Sequence, residues 1–258
     1  MYAKRQSGSV SDFVFEHAWA RRDGRDYSVV SRTLDRRSCV ALQKSFARHW
    51  EEADDYWFHV YRPKAGDTVV DVGAGVGAET TVFSRVVGPS GRVLAIEAHP
   101  ETFFLLKKQC ELNLLANVTM CPLAVIDRVG PVAIEHNPVW ESNSVVVLAD
   151  GDMAGAVVQG NTLDDICREC QIETIDFLKV NIEGAERLAI RGMTKIIKQT
   201  SHVCIACHDF LGDMEEFKTR EIVIAFLREN GFTITERLGD SRDYVRDHIH
   251  ATQATSIQ

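Results

Sequence analysis

The stretch TVVDVGAGVGAET, residues 68–80, contains the residues best suited to binding chemistry. An apolar run ends in Asp71 and is followed by Gly73, Gly75 and Gly77 at two-residue spacing. Because glycine has no Cβ, a ligand can lie directly against this backbone, and the free N–H groups of a helix that starts nearby can bind it. The stretch therefore predicts a site for a nucleotide-like ligand at the end of a strand.

Two acids help to decide which ligand this loop binds. The glycines alone satisfy the loose dinucleotide pattern G-x-G-x-x-G/A, with Ala78 in the last place. Glu97, after the next predicted strand, suits the ribose hydroxyls of either cofactor class. Asp71 would repel a pyrophosphate but suits a ligand with an amino group and a sulfonium. The combined pattern resembles the S-adenosylmethionine motif of class I methyltransferases; the alternatives are a dinucleotide site and glycines that only make tight turns.

A second signature is IDFLKVNIEGAERLAIRGM, residues 175–193. It resembles the strand-four motif of the FkbM family of methyltransferases, approximately I-D-[FL]-[LI]-K-[IV]-D-[VI]-E-G-x-E with a later glycine, here Gly192. The resemblance covers roughly residues 63–210. The departure is Asn181, where the family usually has Asp, and Asn can hydrogen-bond but cannot act as a base or as a charged metal ligand.

The resemblance implies S-adenosylmethionine-dependent methyl transfer, with the hydroxyl of a small molecule such as a sugar or a natural product as the expected acceptor. One alternative is a methyltransferase of a protein or RNA that uses a basic N-terminal segment. Another is a cofactor-binding protein that has lost catalysis, for which Asn181 is the hint. The cofactor-binding residues that the resemblance implies are Asp71, Gly73 and Gly75 for the methionine part, Glu97 for the ribose and residues near Ala124 for the adenine, together with Ala98 and Asn181.

His208 and Glu183 are the candidate catalytic residues, because a hydroxyl acceptor must lose its proton. His208 ends the predicted fifth strand and has an ordinary pKa near neutrality, whereas Glu183 follows strand four. The alternative interpretations are a histidine satisfied at a helix start and an acid favoured by a helix dipole. With Asp209 these side chains resemble a Mg²⁺ ligand set, but Asn181 replaces the most useful carboxylate, so Mg²⁺ is not favoured and no metal ligand is predicted.

Strands and helices alternate from residue 63 onward, which predicts a parallel sheet with crossover helices. We expect the class I methyltransferase fold, a Rossmann-like, seven-stranded, mostly parallel sheet with helices on both faces. The strands are predicted at 68–72, 92–98, 118–125, 175–181 and 202–208 and near 232–238 and 243–250, the last two antiparallel, with a short hairpin of 132–136 against 144–148.

Residues 1–62 are predicted to be an N-terminal helical extension or lid, and residues 63–258 the methyltransferase domain. The loop at 137–160, with Asn143 and Ser144, is a candidate wall of the acceptor pocket. The aromatic residues before the first glycine-loop strand either line that pocket or pack a helix on the sheet; they are Trp50, Tyr56, Trp57, Phe58 and Tyr61.

The formal net charge is −8, which does not favour nucleic acid as the partner. Residues 1–50 contain ten Lys and Arg against five acids and so carry +5, leaving −13 for the rest. This basic segment is interpreted as solvated surface, with an anionic acceptor or a partner subunit, as in a homodimer, as the alternatives. No apolar run is long enough for a membrane span, the N-terminus lacks the apolar stretch of a signal peptide, and the seven cysteines suit a reducing cytosol, so a cytoplasmic location is expected.

Overall fold

The computed structural model of this chain describes residues 2–3, 12–15, 17–33, 38, 41, 45–134, 145–146, 156–211 and 218–254. The predicted pocket-wall residues Asn143 and Ser144 lie outside the described residues. Within the described part of the chain, no helix combines the length and the apolar character needed to cross a membrane.

The described residues near the N-terminus form an antiparallel sheet instead of the predicted helical extension. Its strands are, in order, β1 (Tyr2–Ala3), β2 (Asp12–Phe15), β3 (Trp19–Asp23) and β4 (Asp26–Ser31). A two-residue turn joins β3 to β4 with Gly24 at φ 62°, the positive φ that tight hairpin turns require. The predicted helical extension is therefore not confirmed: the described residues up to Ser31 form strands, and helical structure within it lies at Ala47–Glu52 and Ala53–Trp57.

The helices of the described residues are, in chain order, α1 (Ala47–Glu52), α2 (Ala78–Val87), α3 (Pro100–Leu112), α4 (Leu163–Glu169), α5 (Glu186–Ala189), α6 (Arg220–Glu229) and α7 (Asp243–Arg246). A π-helical turn at Ala53–Trp57 continues α1, and 3₁₀ turns lie at Ile190–Gly192, Ile196–Gln199 and Asp209–Leu211. Thr162 caps α4 by accepting a hydrogen bond from Asp165 N at 3.1 Å.

The remaining strands are β5 (Thr68–Val72), β6 (Arg92–Ile96), β7 (Val118–Cys121), β8 (Ala124–Val125), β9 (Gly130–Ile134), β10 (Val145–Val146), β11 (Ala156–Asn161), β12 (Ile175–Val180), β13 (Thr200–Ala206), β14 (Phe232–Thr235) and β15 (His248–Gln253). Seven of them form the central sheet in the order β14-β15-β13-β12-β5-β6-β7. All neighbouring pairs are parallel except those that involve β15. The fold is the predicted class I methyltransferase fold.

The strand order reverses between β5 and β12, because the chain builds β5, β6 and β7 outward in one direction and then continues on the other side of β5. In an open parallel sheet, ligands bind beyond the carboxyl ends of the strands at such a reversal. The glycine loop follows β5, and the stretch from Asn181 follows β12, so both sequence signatures meet at this point.

Two predicted strands differ from the structure. Pro122 has no N–H to donate, and the predicted strand 118–125 divides there into β7 of the central sheet and β8 of a small second sheet. This sheet has the order β10-β9-β11-β8, and its β9–β10 pairing confirms the predicted hairpin. The last predicted strand begins later than expected, because residues 243–246 form α7 before β15.

Both faces of the central sheet are covered by apolar packing. Val70, Leu178 and Ile205 face a core that includes α4 and α6, whereas Val69 and Phe177 face α2 and the π-helical turn. Alternating strand residues therefore point to opposite faces, as expected for strands buried on both sides.

The N-terminal sheet is attached to α3 by two buried amide side chains. Gln109 accepts a hydrogen bond from Val29 N at 2.7 Å and donates one to Tyr27 O at 2.7 Å. Asn113 accepts from Tyr27 N at 2.8 Å. The side-chain amides thus satisfy backbone groups of the edge strand β4, and Val29 of this strand packs in one cluster with Val76 of the glycine loop.

Candidate active site

A cavity of about 440 Å³ lies beyond the carboxyl ends of β5, β6, β12 and β13. Its volume is in the usual range for a small-molecule site. Its wall includes the following predicted site residues: Gly73, Gly75, Glu97, Ala98, Ala124, Asn181, Glu183 and His208. Of the predicted site residues, only Asp71 does not reach this wall.

The glycine loop packs directly against the residue that follows β12. Gly73 has φ 75°, and a Cβ built on it would lie 1.9 Å from Asn181 O. Gly73 N donates to Ile96 O at 2.9 Å, and Asn181 N donates to Val72 O at 3.0 Å. Glycine is needed here first for contact between two strand ends, and only then for approach of a ligand.

Asp71 is completely buried behind this loop and is paired with Lys179. Lys179 Nζ lies 2.8 Å from Asp71 Oδ1 and donates a second hydrogen bond to Gly73 O at 2.7 Å. Thr80 Oγ1 donates to Asp71 Oδ2 at 2.6 Å. The carboxylate is therefore occupied by protein groups. This arrangement indicates that Asp71 holds the loop in place, rather than contacting the methionine amino group as the sequence predicted.

Glu97 holds the loop from the other side and keeps part of its carboxylate available. Its Oε2 accepts from Gly75 N at 3.0 Å, and its Oε1 accepts from His99 N at 2.9 Å. The pKa of Glu97 is raised, because burial has the largest effect and the two N–H groups and Lys179 offset it only in part. Each carboxylate oxygen has a second lone pair, so Glu97 can also accept from two ligand hydroxyls.

The wall next to Glu97 is apolar, which suits a flat aromatic ring. Ala98 and Ala124 form part of it, together with Leu123, Val125 and Ile134. Ile134 belongs to β9, so the small sheet closes the side of the cavity that the sequence assigned to the adenine.

His208 lies between two carboxylates. Its Nε2 is 3.3 Å from Glu183 Oε1, and its Nδ1 is 3.0 Å from Glu186 Oε1, with His208 only 3% exposed. Burial alone would lower the pKa of His208, but Glu186 and Glu183 outweigh it and raise the pKa to about 10. An imidazolium has no lone pair to accept a proton, so this arrangement argues against His208 as the base; Glu183 stays a predicted catalytic residue.

The charge of His208 has a measurable consequence for stability. Its pKa is raised from 6.5 to about 10 on folding, so its contribution is complete below about pH 6.5 and is lost as the pH rises through about 10. We expect wild type to lose its stability advantage over His208→Gln between about pH 7 and pH 10. Urea unfolding of both proteins across this range tests this, and a difference that does not change with pH would contradict it.

Glu183 and Gly184 adopt left-handed backbone conformations, with φ 51° and φ 94°. A positive φ is uncommon for a residue other than glycine and costs about 1–3 kcal/mol, so it requires support from its surroundings. The ion pair with His208 and the hydrogen bond from Ile182 N to Glu186 Oε1 at 3.2 Å provide that support. The backbone turn and the two carboxylates therefore form one unit with His208.

Asp209 does not join this unit. Its Oδ1 accepts hydrogen bonds at 3.0 Å from Thr219 N and Arg220 N, at the start of α6. The described residues contain no cluster of three or more His, Cys, Asp or Glu side chains arranged to hold a metal ion.

The cavity wall also contains residues that the sequence did not single out. Glu79 lies in the first turn of α2, and Tyr244 and His248 come from the end of the chain. The helix-start position was a signal for Glu79. Nothing in the sequence indicated His248, because it reaches the site only through the insertion of β15 beside β13.

The aromatic segment before β5 both lines the cavity and packs on the sheet, which are the two alternatives that its sequence left open. Tyr56 and Trp57 line the cavity. Trp57 and Phe58 are also buried in the core beneath the sheet, and Phe58 packs 5.6 Å from the Phe83 ring. One segment thus supports the sheet and forms the cavity wall.

Comparison with known proteins identifies the family. The chain is 24% identical over 182 residues to the hexuronic acid methyltransferase AglP of Haloferax volcanii, covering 67% of this chain and 72% of that protein. It is 25% identical over 233 residues to methyltransferase sdnD of Sordaria araneosa, covering 78% of this chain and 88% of that protein. The solved structure of methyltransferase FkbM from Methylobacillus flagellatus KT matches with a TM-score of 0.52 at 15% identity, covering 83% of this chain and 52% of that one, so this chain spans about half of its length.

A model of the family also matches the chain. The model described as the methyltransferase FkbM domain matches residues 71–234, which include the glycine loop and the strand-four signature. This match covers more than half of the chain, and the chain belongs to the FkbM methyltransferase family.

Proposed function

We propose that this methyltransferase transfers a methyl group from S-adenosylmethionine to a hydroxyl oxygen of a small molecule, such as a sugar or a natural product. The observation that carries the proposal is the charge of the cavity wall. Glu79, Glu97 and Glu183 are acids, and the two cations, Lys179 and His208, are each paired with a carboxylate. A net acidic wall suits a ligand that carries an ammonium and a sulfonium, and it disfavours a pyrophosphate.

The described residues fit this donor part by part. The ribose diol would bind Glu97, the adenine would lie against Ala98 and Ala124, and the methionine part would follow the loop at Gly73 and Gly75. The chemistry that the donor supplies is an electrophilic methyl group on a sulfonium. The residues of the chain align the acceptor with it and exclude water, which is mainly a proximity effect.

The same charges bear on the acceptor. A carboxylate acceptor would be stabilised by an unpaired cation, but both cations of the described cavity wall are already engaged by acids. A neutral hydroxyl avoids this conflict. AglP is named a hexuronic acid methyltransferase, and hexuronic acids carry hydroxyls as well as a carboxylate, so this relative supports a sugar acceptor without fixing the atom.

Calorimetry tests the donor site. We expect wild type to bind S-adenosylmethionine and S-adenosylhomocysteine, and Glu97→Gln to bind each about 10- to 100-fold more weakly, because hydrogen bonds to a charged acceptor contribute about 1.5–3 kcal/mol. Glu101→Gln is the matched control, since this exposed acid lies in the first turn of α3, shortly after Glu97 in the chain. Absence of binding to wild type would refute the proposal, and mass spectrometry of acceptors incubated with labelled donor identifies the methylated atom.

A further inference from the structure

His248 is a buried cavity residue with one ring nitrogen in use and one free. It is the first residue of β15, lies opposite Ala206 of β13, and is 6% exposed. Its Nδ1 lies 2.6 Å from Tyr244 O, so Nδ1 carries the hydrogen and donates it to this carbonyl. Nε2 is buried and has no hydrogen-bond partner among the described residues.

The surroundings of the ring hold it in this orientation. The carbonyl of Tyr244 belongs to α7, which directly precedes β15. The Trp57 ring lies 4.8 Å from the His248 ring, and the Tyr56 ring lies 6.0 Å from it. A buried nitrogen without a partner is costly, and because His248 is part of the cavity wall, a ligand in the cavity is a partner that could satisfy it.

We propose that Nε2 of His248 binds the hydroxyl of the methyl acceptor and takes its proton during methyl transfer. This inference rests on the proposed function. The acceptor oxygen uses a lone pair to form the new O–C bond to the methyl carbon, while the C–S bond breaks and its electron pair stays on sulfur. The O–H proton moves to Nε2, which leaves an imidazolium and S-adenosylhomocysteine.

The protonation state of His248 is right for this role. Burial lowers its pKa to about 4, and the charges of His208, Arg237 and Lys179 lower it too, against the Tyr244 carbonyl that raises it. The ring is therefore neutral at neutral pH and can accept a hydrogen bond. A weak base is sufficient, because a hydroxyl oxygen becomes strongly acidic as it gains its bond to the methyl group.

The other two candidates are less suited to take the proton. His208 is held in its charged form between Glu183 and Glu186. Glu183 Oε1 lies 3.3 Å from His208 Nε2, so this oxygen is already engaged by the imidazolium. Nε2 of His248 is a buried atom of this wall that accepts no hydrogen bond from the described residues.

Aromatic side chains share the cavity wall with His248 and indicate the kind of molecule that binds there. Tyr56, Trp57, Phe210 and Tyr244 line the cavity together with His248. Aromatic faces pack well against flat apolar surfaces, and the C–H faces of a sugar-like ring present such a surface with hydroxyls at its edge. The acceptor class that this subsite fits is a neutral, ring-shaped polyol.

Substitution of His248 by phenylalanine tests the role in turnover. His248→Phe keeps an aromatic ring against Trp57 and removes both nitrogens, and His250→Phe is the matched control on the same strand, because His250 is 1% exposed and lies outside the cavity wall. The probes are the methyl glycosides of glucose, galactose and mannose, and glucuronic acid. We expect His248→Phe to lower kcat about 100-fold or more, with donor affinity within about two-fold of wild type, and His250→Phe to keep wild-type turnover.

Nitrogen NMR of histidine-labelled wild type with S-adenosylhomocysteine gives a test that needs no acceptor. We expect the hydrogen of His248 on Nδ1 and a bare Nε2 at neutral pH; a hydrogen on Nε2 would overturn the proposal. So would turnover that survives in His248→Phe but not in Glu183→Gln, because the proton would then go to Glu183. Failure of wild type to bind the donor would instead contradict the proposed function.

Discussion

Replacement of Lys179 by methionine is expected to lower the free energy of unfolding by about 3–5 kcal/mol, because it leaves a buried carboxylate without its counter-ion. Lys179 is 2% exposed and Asp71 0% exposed, and their charged atoms lie 2.8 Å apart. Methionine has a similar volume, so the loss comes from charge and hydrogen bonds rather than from a cavity. Urea unfolding at neutral pH gives the measurement.

A double variant distinguishes the loss of the whole ion pair from the loss of one of its two charges. Asp71→Asn combined with Lys179→Met removes both charges, and we expect it to be more stable than Lys179→Met alone, since no unpaired charge remains. Lys195→Met is the surface control and is expected to change stability by less than about 0.5 kcal/mol. If Lys179→Met matches this control, the buried pair does not hold the loop.

This pair also shows how far the strand-four signature could be interpreted from sequence. The resemblance placed Lys179 and Asp71 in two separate motifs, and adjacent parallel strands bring them into register, Lys179 opposite Asp71. The sequence assigned Asp71 to the ligand because it could not show that Lys179 Nζ occupies its carboxylate. A residue type at a strand end predicts the location of a charge, but its partner depends on the register of the sheet.

The central sheet was predictable because its strands and helices alternate with clear turn signals. The N-terminal sheet was not, because short antiparallel strands carry little periodic signal and the Asp23–Asp26 turn was the main indication. In the small sheet the β9–β10 hairpin was predicted but β11 was not, because its sequence AVVQGN has a glycine inside the strand, which packs against Ile126. Gly160 was interpreted as a loop residue, although it marks close packing.

The chemistry of the site was less predictable than its location. The choice of His208 as base rested on an ordinary pKa, whereas Glu186, which is fully buried beside it, holds the proton on the ring. His248 had no signal, since its neutral state depends on burial and its free nitrogen on the position of Tyr244 O. Protonation states follow from tertiary contacts, and these link residues far apart in the chain.

The second large effect is expected at Gly73, where a single methyl group would collide with another strand end. A Cβ on Gly73 would lie 1.9 Å from Asn181 O and 2.9 Å from Ile182 Cγ2, at φ 75°. We expect Gly73→Ala to destabilise the fold by about 3 kcal/mol or more, through overpacking added to backbone strain. We also expect donor affinity to fall at least about ten-fold, because a near-attack site tolerates little displacement. Urea unfolding and calorimetry with S-adenosylhomocysteine measure the two effects.

Gly231 provides a control that separates the collision from the strain. Gly231 has φ 82°, and a Cβ built there meets only Gln253 Nε2 at 3.7 Å, an ordinary contact, so Gly231→Ala carries a backbone cost of about 1–2 kcal/mol without a collision. The two variants should therefore differ in stability, and only Gly73→Ala should lose donor affinity. Equal losses in both would mean that the loop moves away from Asn181 at little cost. Gly73 would then be needed for its φ angle alone, and the contact between the two signatures would not set the geometry of the site.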